Sequence, residues 1–177
     1  MNILCFDVES NGLHGPAFAV AGVCIDTEGK VTSEFLARCP IEGKLDEWVR
    51  DNVLEPMRSI AQTHPNAKSM RHDFWEWYVK AKASVDMIVC ANPYPVESRF
   101  LMECQRDDMS AREFDHPFPL FDVSSIMAGA GLVTSTDRAN VVAAALEDRT
   151  GEAHNPLWDA TASALTARYL MLSASKQ

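Results

Sequence analysis

The chain has 177 residues, of which 47% are hydrophobic and 23% charged, with a formal net charge of −9. That length fits one domain able to bury roughly 70% of its unfolded surface, and the apolar share excludes a disordered chain. The charge argues against a wide basic footprint on duplex DNA, where Lys and Arg must neutralise phosphates, and there is no run of about 18 apolar residues to span a membrane.

Ile3 to Glu9 reads as a strand on which Ile3, Cys5, Asp7 and Glu9 share one face, because side chains alternate with period two. The Cα atoms of Asp7 and Glu9 then lie roughly 6–7 Å apart, close enough for their carboxylates to converge. Asn11-Gly12 ends this strand as a turn signal. Phe18 to Ile25 is a second strand, Thr27 to Lys30 a hairpin turn, and Val31 to Cys39 a third strand, which together suggest an antiparallel meander. A helix is expected over Lys44 to Met57, with Leu45, Trp48, Val49 and Val53 on its apolar side. A second is expected over Ser69 to Ser84.

Val85 to Ala91 reads as a buried strand, and Val96 to Asp107 as a helix entered through Pro93 and Pro95. Leu120-Phe121 is a short fifth strand, Ser124 to Ala130 a short helix, and Asp137 the expected cap of a helix from Arg138 to Arg149. The last helix has Asn155 as cap and Pro156 in its first position, and runs to about Ser173. Ala160, Ala164 and Ala167 give it a small-residue face for close packing on a sheet. The order of elements implies a mixed sheet with helices on it. One domain is expected over residues 1–173, with 174–177 as a flexible tail.

Cys5, Cys24, Cys39, Cys90 and Cys104 are odd in number and lack C-x-x-C spacing, so neither a disulfide framework nor a zinc site is expected. Cys5, Cys24 and Cys90 lie in apolar runs that suit the core. The N-terminus lacks a basic start, so no signal peptide is expected and a cytoplasmic location follows by default.

Three segments carry chemistry: Phe6 to Leu13, Asn92 to Leu101, and His154 to Ala160. Two acids at the end of an apolar strand are costly without metal or hydrogen bonds. Carboxylates with one histidine and no cysteine suit hard, oxygen-loving ions such as Mg²⁺ or Mn²⁺, and two such ions form a clamp for phosphoryl transfer. Each residue also has a plainer reading. Asp159 and Glu97 are first-turn acids that complement a helix dipole, and His154 alone is a loop histidine. Glu76, Glu103 and Asp122 are weaker candidates, with capping the natural task of Asp122. Trp75, Trp77 and Tyr78, set among Lys68, Arg71, Lys80 and Lys82, could stack on single-stranded bases, although an aromatic helix stripe is more often core. Gly129-Ala130-Gly131 lacks the spacing of a phosphate-binding loop.

Taken together, the three segments resemble the DEDDh family of 3′–5′ exonucleases, which includes polymerase proofreading domains and oligoribonuclease. The resemblance runs from Asp7 to Asp159 and implies an α/β, ribonuclease H-like fold. That fold has a five-stranded mixed sheet, its first three strands antiparallel, flanked by helices. It implies that Asp7, Glu9 and Asp159 hold one divalent ion and its attacking water. Asp7 would hold a second near the leaving 3′ oxygen, with Glu97 in support. His154 would take the water's proton, and Ser10, Asn11, Gly12 and Leu13 would form the substrate-contacting turn. The middle motif departs from the family pattern, with Glu97-Ser98-Arg99-Phe100-Leu101 where the family has Asp at the first position. The implied partner is the 3′ end of single-stranded RNA or DNA, the implied product a nucleoside 5′-monophosphate, and a homodimer is allowed. A noncatalytic nucleic-acid-binding module of the same fold and a ribonuclease H-like endonuclease stay open as alternatives.

Overall fold

The computed structural model describes residues 1–174; residues 175–177, within the expected tail, lie outside the described residues. Five strands form one sheet in the order β3-β2-β1-β4-β5. They are β1 (Ile3–Ser10), β2 (Ala17–Ile25), β3 (Val31–Arg38), β4 (Met87–Cys90) and β5 (Phe121–Asp122). The first three are antiparallel neighbours, while β4 and β5 join parallel. This is the mixed sheet expected.

The helices are α1 (Glu47–Asn52), α2 (Ala67–Lys82), α3 (Val96–Asp107), α4 (Met109–Arg112), α5 (Val123–Gly129), α6 (Ser135–Leu146) and α7 (Pro156–Ala174). The alternation of β1 divides the core in two. Leu4, Phe6 and Val8 pack with Phe74, Tyr78 and Phe100 of α2 and α3. Ile3 and Cys5 face the other way, onto Ala160, Ala164 and Ala167 of α7, whose short side chains let the helix sit close to the sheet. All five cysteines are free and buried.

Several boundaries differ from expectation, each for a local reason. The helix expected over Lys44 to Met57 is one short turn-and-a-half, because Asp46 caps it at Val49 N and Pro56 forbids helix at the residue before it. Within it Val49 is buried, while Trp48 is 57% exposed. Asp137 is not the cap of α6. Thr134 is, accepting from Asp137 N at 3.1 Å and donating to Asp137 Oδ2 at 2.6 Å, so the helix starts three residues earlier. It ends at Leu146 because Glu147 turns left-handed, with φ 55°. The single turn α4, held by Asp108 on Ala111 N, is too short to leave a periodic signal. Helix α7 includes Ala174, the first residue of the expected tail.

The aromatic stripe of α2 is core. Trp75 and Tyr78 are buried, and Tyr78 donates its hydroxyl to Asp115 O at 3.0 Å. Trp77 donates its indole N–H to Ser33 Oγ at 2.9 Å. No helix among the described residues is long and apolar enough to cross a membrane.

Candidate active site

Strand β1 outruns its parallel neighbour. Its pairing with β4 stops at Cys5 opposite Val89, so Asp7 and Glu9 stand beyond the end of β4. Crevices at the carboxyl ends of strands are where open α/β sheets bind ligands. Both carboxylates lie on the Ile3–Cys5 face, toward α7.

The start of α7 brings the remaining groups. Asn155 Oδ1 accepts from Leu157 N at 3.2 Å and from Trp158 N at 3.4 Å, which fixes the first turn. Asp159 Oδ2 accepts from the His154 backbone N–H at 2.8 Å. That bond folds His154, at φ 64°, back over the helix start. Gly151 permits the approach, since a Cβ there would stand 2.0 Å from the Trp158 ring. His154 Nδ1 then lies 3.6 Å from Glu9 Oε1, and its ring meets Trp48 edge-on at 5.3 Å between centroids. Ligand atoms of Glu9, His154 and Asp159 all fall within 4.8 Å of one another, a spacing able to hold a metal ion.

Glu97, in the first turn of α3, is only 8% exposed. Its charge reaches Asp7 and Glu9, so it belongs to the same acidic group, although its side chain does not line the cleft. Burial pushes the Asp7 carboxyl well above its ordinary value, and repulsion from Glu9, Glu97 and Asp159 adds to this. Burial, then repulsion from Asp159 and Glu97, pushes Glu9 up to about 8. Burial raises Glu97 to about 7, against hydrogen bonds from its own backbone N–H and that of Val8. Asp159 is raised by burial, opposed by the His154 N–H and by attraction to the imidazole. Among the described residues, no Lys or Arg pairs with any of these four carboxylates. Oxygen donors that repel one another and lack a cation fit Mg²⁺ or Mn²⁺.

The cluster opens into a cleft of about 930 Å³. Ser10, Gly12 and Leu13 line it, as does Trp48, so Leu13 and Trp48 face the same space as two exposed apolar side chains. The turn is held from within and without. Ser10 Oγ donates to Gly12 O at 2.8 Å, and Gly12 takes the positive φ of 76° that the turn requires. Asn11 is the expected turn residue whose side chain lies outside the lining. Its amide donates to Glu42 O at 3.1 Å and Lys44 O at 3.0 Å, and its Oδ1 accepts from Asp46 N at 2.8 Å. It thereby ties the wall carrying Trp48 to the turn.

Two residues escaped sequence reasoning. Trp48 stands on the apolar side of the expected helix by spacing, yet lines the cleft. Arg99 donates to Leu13 O at 3.1 Å and to Gly15 O, bolting α3 onto the turn; its place two residues after Glu97 carried no such signal. The weaker candidates stand elsewhere. Glu103 pairs with Arg71 at 3.3 Å, Asp122 caps α5 through Ser124 N at 2.9 Å, and Glu76 is exposed on α2.

No protein-family model matches the sequence, and no curated protein does. Solved structures do match. The nuclease domain of 3′hExo, a DEDDh family member bound to rAMP, matches over 97% of this chain and 92% of its own, with TM-score 0.63 and 14% identity. The zinc-ion-bound complex of E. coli ExoI with ssDNA matches over 99% of this chain and 41% of its own, with TM-score 0.66 and 13% identity. Exonuclease X in complex with 5′ overhanging duplex DNA matches over 98% and 93%, with TM-score 0.60 and 12% identity. The chain has the ribonuclease H-like fold and shares it with these three exonucleases.

Proposed function

We propose that the protein is a metal-dependent 3′–5′ exonuclease that shortens single-stranded RNA or DNA and releases nucleoside 5′-monophosphates. The observation that carries this reading is the convergence of Asp7, Glu9, Glu97, Asp159 and His154 at one strand end, without a cationic partner, in a chain with this fold.

Asp7, Glu9 and Asp159 would hold the ions, with Glu97 as a more deeply set acid beside Asp7. Two bound divalent cations would polarise the scissile phosphate and offset the charge that develops on it. The chain's own groups do the rest. His154 takes the proton of the attacking water at its ring, and the nearby carboxylates of Glu9 and Asp159 stabilise the imidazolium that forms. The bond from the His154 N–H to Asp159 keeps base and ligand in one geometry. The turn Ser10–Leu13 orients the terminal nucleotide, whose base has Leu13 on one side and Trp48 on the other.

Labelled at the 5′ end, single-stranded RNA and DNA oligomers incubated with Mg²⁺, Mn²⁺ or EDTA test this reading. The expected result is a metal-dependent ladder shortening from the 3′ end, lost in Asp7→Ala and in His154→Ala while both variants stay folded. Full activity in either variant refutes the assigned roles.

The depth of Glu97 favours a second reading, a module that binds strands without cutting them. Calorimetric titration with Mn²⁺ separates the two. Metal binding supports the nuclease, and its absence supports the module.

A further inference from the structure

Glu97 marks the point where the three motifs depart from the family pattern, and its surroundings differ from those of the other acids. Asp7, Glu9 and Asp159 line the cleft, and Glu97 does not. Ala91 and Val96, which bracket the loop between β4 and α3, form the cleft wall there, and the buried Glu97 stands behind it. Its charge acts on Cys90, the last residue of β4, as well as on Asp7. The carboxylate therefore sits just past the end of β4, beside β1.

That carboxylate accepts from its own backbone N–H and from that of Val8. Val8 lies between Asp7 and Glu9, past Cys5, the last residue of β1 paired with β4. On the other side, the pairing of β1 with β2 shifts register directly after Glu9. The segment that carries two acids of the site thus has a strand neighbour on one side only, and that pairing becomes irregular at its end. Helix α3, by contrast, is firmly held. Phe100 and Leu101 are buried in the core, Ser98 N donates to Pro93 O at 2.8 Å, and the Arg99 guanidinium donates to Leu13 O at 3.1 Å. A buried carboxylate that accepts two N–H bonds is partnered without an ion. On the same backbone an Asp would reach one C–C bond less far, about 1.5 Å, and would not span to Val8.

We propose that Glu97 is a positioning residue rather than an ion ligand: its carboxylate takes the Val8 N–H where pairing with β4 has stopped, and so fixes the backbone between Asp7 and Glu9. The catalytic consequence of this assignment rests on the exonuclease reading above. The Glu at this position then has a physical reason, because its length serves the strand and not the ions. Asp7, Glu9 and Asp159 face the cleft and keep the ions to themselves, and Glu97 acts on them through the backbone of β1.

The test compares Glu97→Gln, Glu97→Asp and Glu97→Ala in the full chain. Gln keeps the length and an acceptor oxygen without the charge, and Asp keeps the charge without the length. Exchange of the Val8 amide hydrogen, followed by NMR in EDTA, reads the bond without metal or strand. The expected result is exchange about tenfold faster in the Asp and Ala variants, the scale of one lost hydrogen bond, and close to wild type in the Gln variant. With Mn²⁺ and a 5′-labelled single-stranded oligomer, kcat should fall about tenfold or more in the Asp and Ala variants with KM nearly unchanged, and Gln should recover part of that loss. An ion ligand gives the reverse order, with Asp the better replacement and Val8 exchange alike in every variant. Thermal melting verifies each fold. The reverse order of rates, or Val8 exchange that is alike in every variant, overturns the inference. A wild type that shortens no strand overturns the exonuclease reading alone, because the exchange order still decides the bond to Val8.

Discussion

Replacing Glu9 by Gln should stabilise the metal-free protein at alkaline pH while removing metal-linked stability. Unfolded, Glu9 releases its proton near 4.5; folded, it holds that proton until about pH 8. Folding therefore takes up a proton between those values, and stability falls as pH rises through that window. Each tenfold change in proton affinity is worth about 1.4 kcal/mol, so the gap sets a ceiling of about 5 kcal/mol on the cost above pH 8. The carboxylates titrate as a set, and the Gln amide needs its own partners, which leaves a net gain of about 1–2 kcal/mol. For a chain of this size that corresponds to a melting temperature about 2–8 °C higher in Glu9→Gln. The assay is thermal unfolding in EDTA at about pH 9 and about pH 5, repeated with Mn²⁺. At the lower pH the wild-type carboxyl is largely protonated and the difference should nearly vanish. With Mn²⁺ the order should reverse, because only the wild type gains from the ion. A Glu9→Gln protein that melts below wild type in EDTA at alkaline pH would refute the reasoning, since Glu9 would then be a structural anchor.

Arg99→Ala should lower kcat/KM at least tenfold and destabilise by about 1–2 kcal/mol, because two carbonyls of the substrate turn lose their donor. Arg99→Lys should not restore the rate, since an ammonium lacks the planar fork that reaches both oxygens; kinetics and melting of the two variants decide this. Trp48→Ala should raise KM about tenfold with an unchanged melting temperature, as expected of an exposed side chain that stacks on a base, and Trp48→Phe should recover most of the affinity.

Asp7 and Glu9 stood out in the sequence for a reason of cost, and Glu97 and Asp159 through the family resemblance. Ile3 to Val8 is so apolar that acids in and after it needed an explanation, and His154 with Asn155-Pro156 marked a helix start five residues from Asp159. The antiparallel meander of the first three strands was legible from their spacing and short turns, and the five-stranded mixed sheet from the family resemblance. The wall opposite was not. Trp48 and Val49 are adjacent in sequence, and helical spacing alone gave both to the core. The short helix buries Val49 and turns Trp48 toward the cleft, a difference that helical spacing does not resolve. Arg99 was illegible for a different reason. Its partners are backbone carbonyls more than eighty positions away, and a carbonyl has no residue identity to read. The α6 boundary failed on competing caps, because Thr134 and Asp137 both qualify and only the reciprocal bond between them shows which one starts the helix.

The arginines of the core are engaged away from the acidic cluster. Arg71 is engaged by Asp107 at 2.6 Å and Glu103 at 3.3 Å, and Arg112 by Cys104 O at 2.8 Å and His72 at 3.0 Å. Arg99, bonded to Leu13 O and Gly15 O, faces carbonyl oxygens and Glu103 rather than Asp7 or Glu9. A single Lys or Arg turned into the cluster would relieve the repulsion that adds to burial in raising Glu9. The chain instead leaves its buried carboxylates in mutual repulsion and compensates elsewhere, with a β1 otherwise packed on both faces. Divalent cations held there would relieve that repulsion and would supply positive charge for a phosphate. On this argument a substitution that relieves the repulsion, such as Glu9→Gln, raises stability in EDTA and lowers affinity for metal.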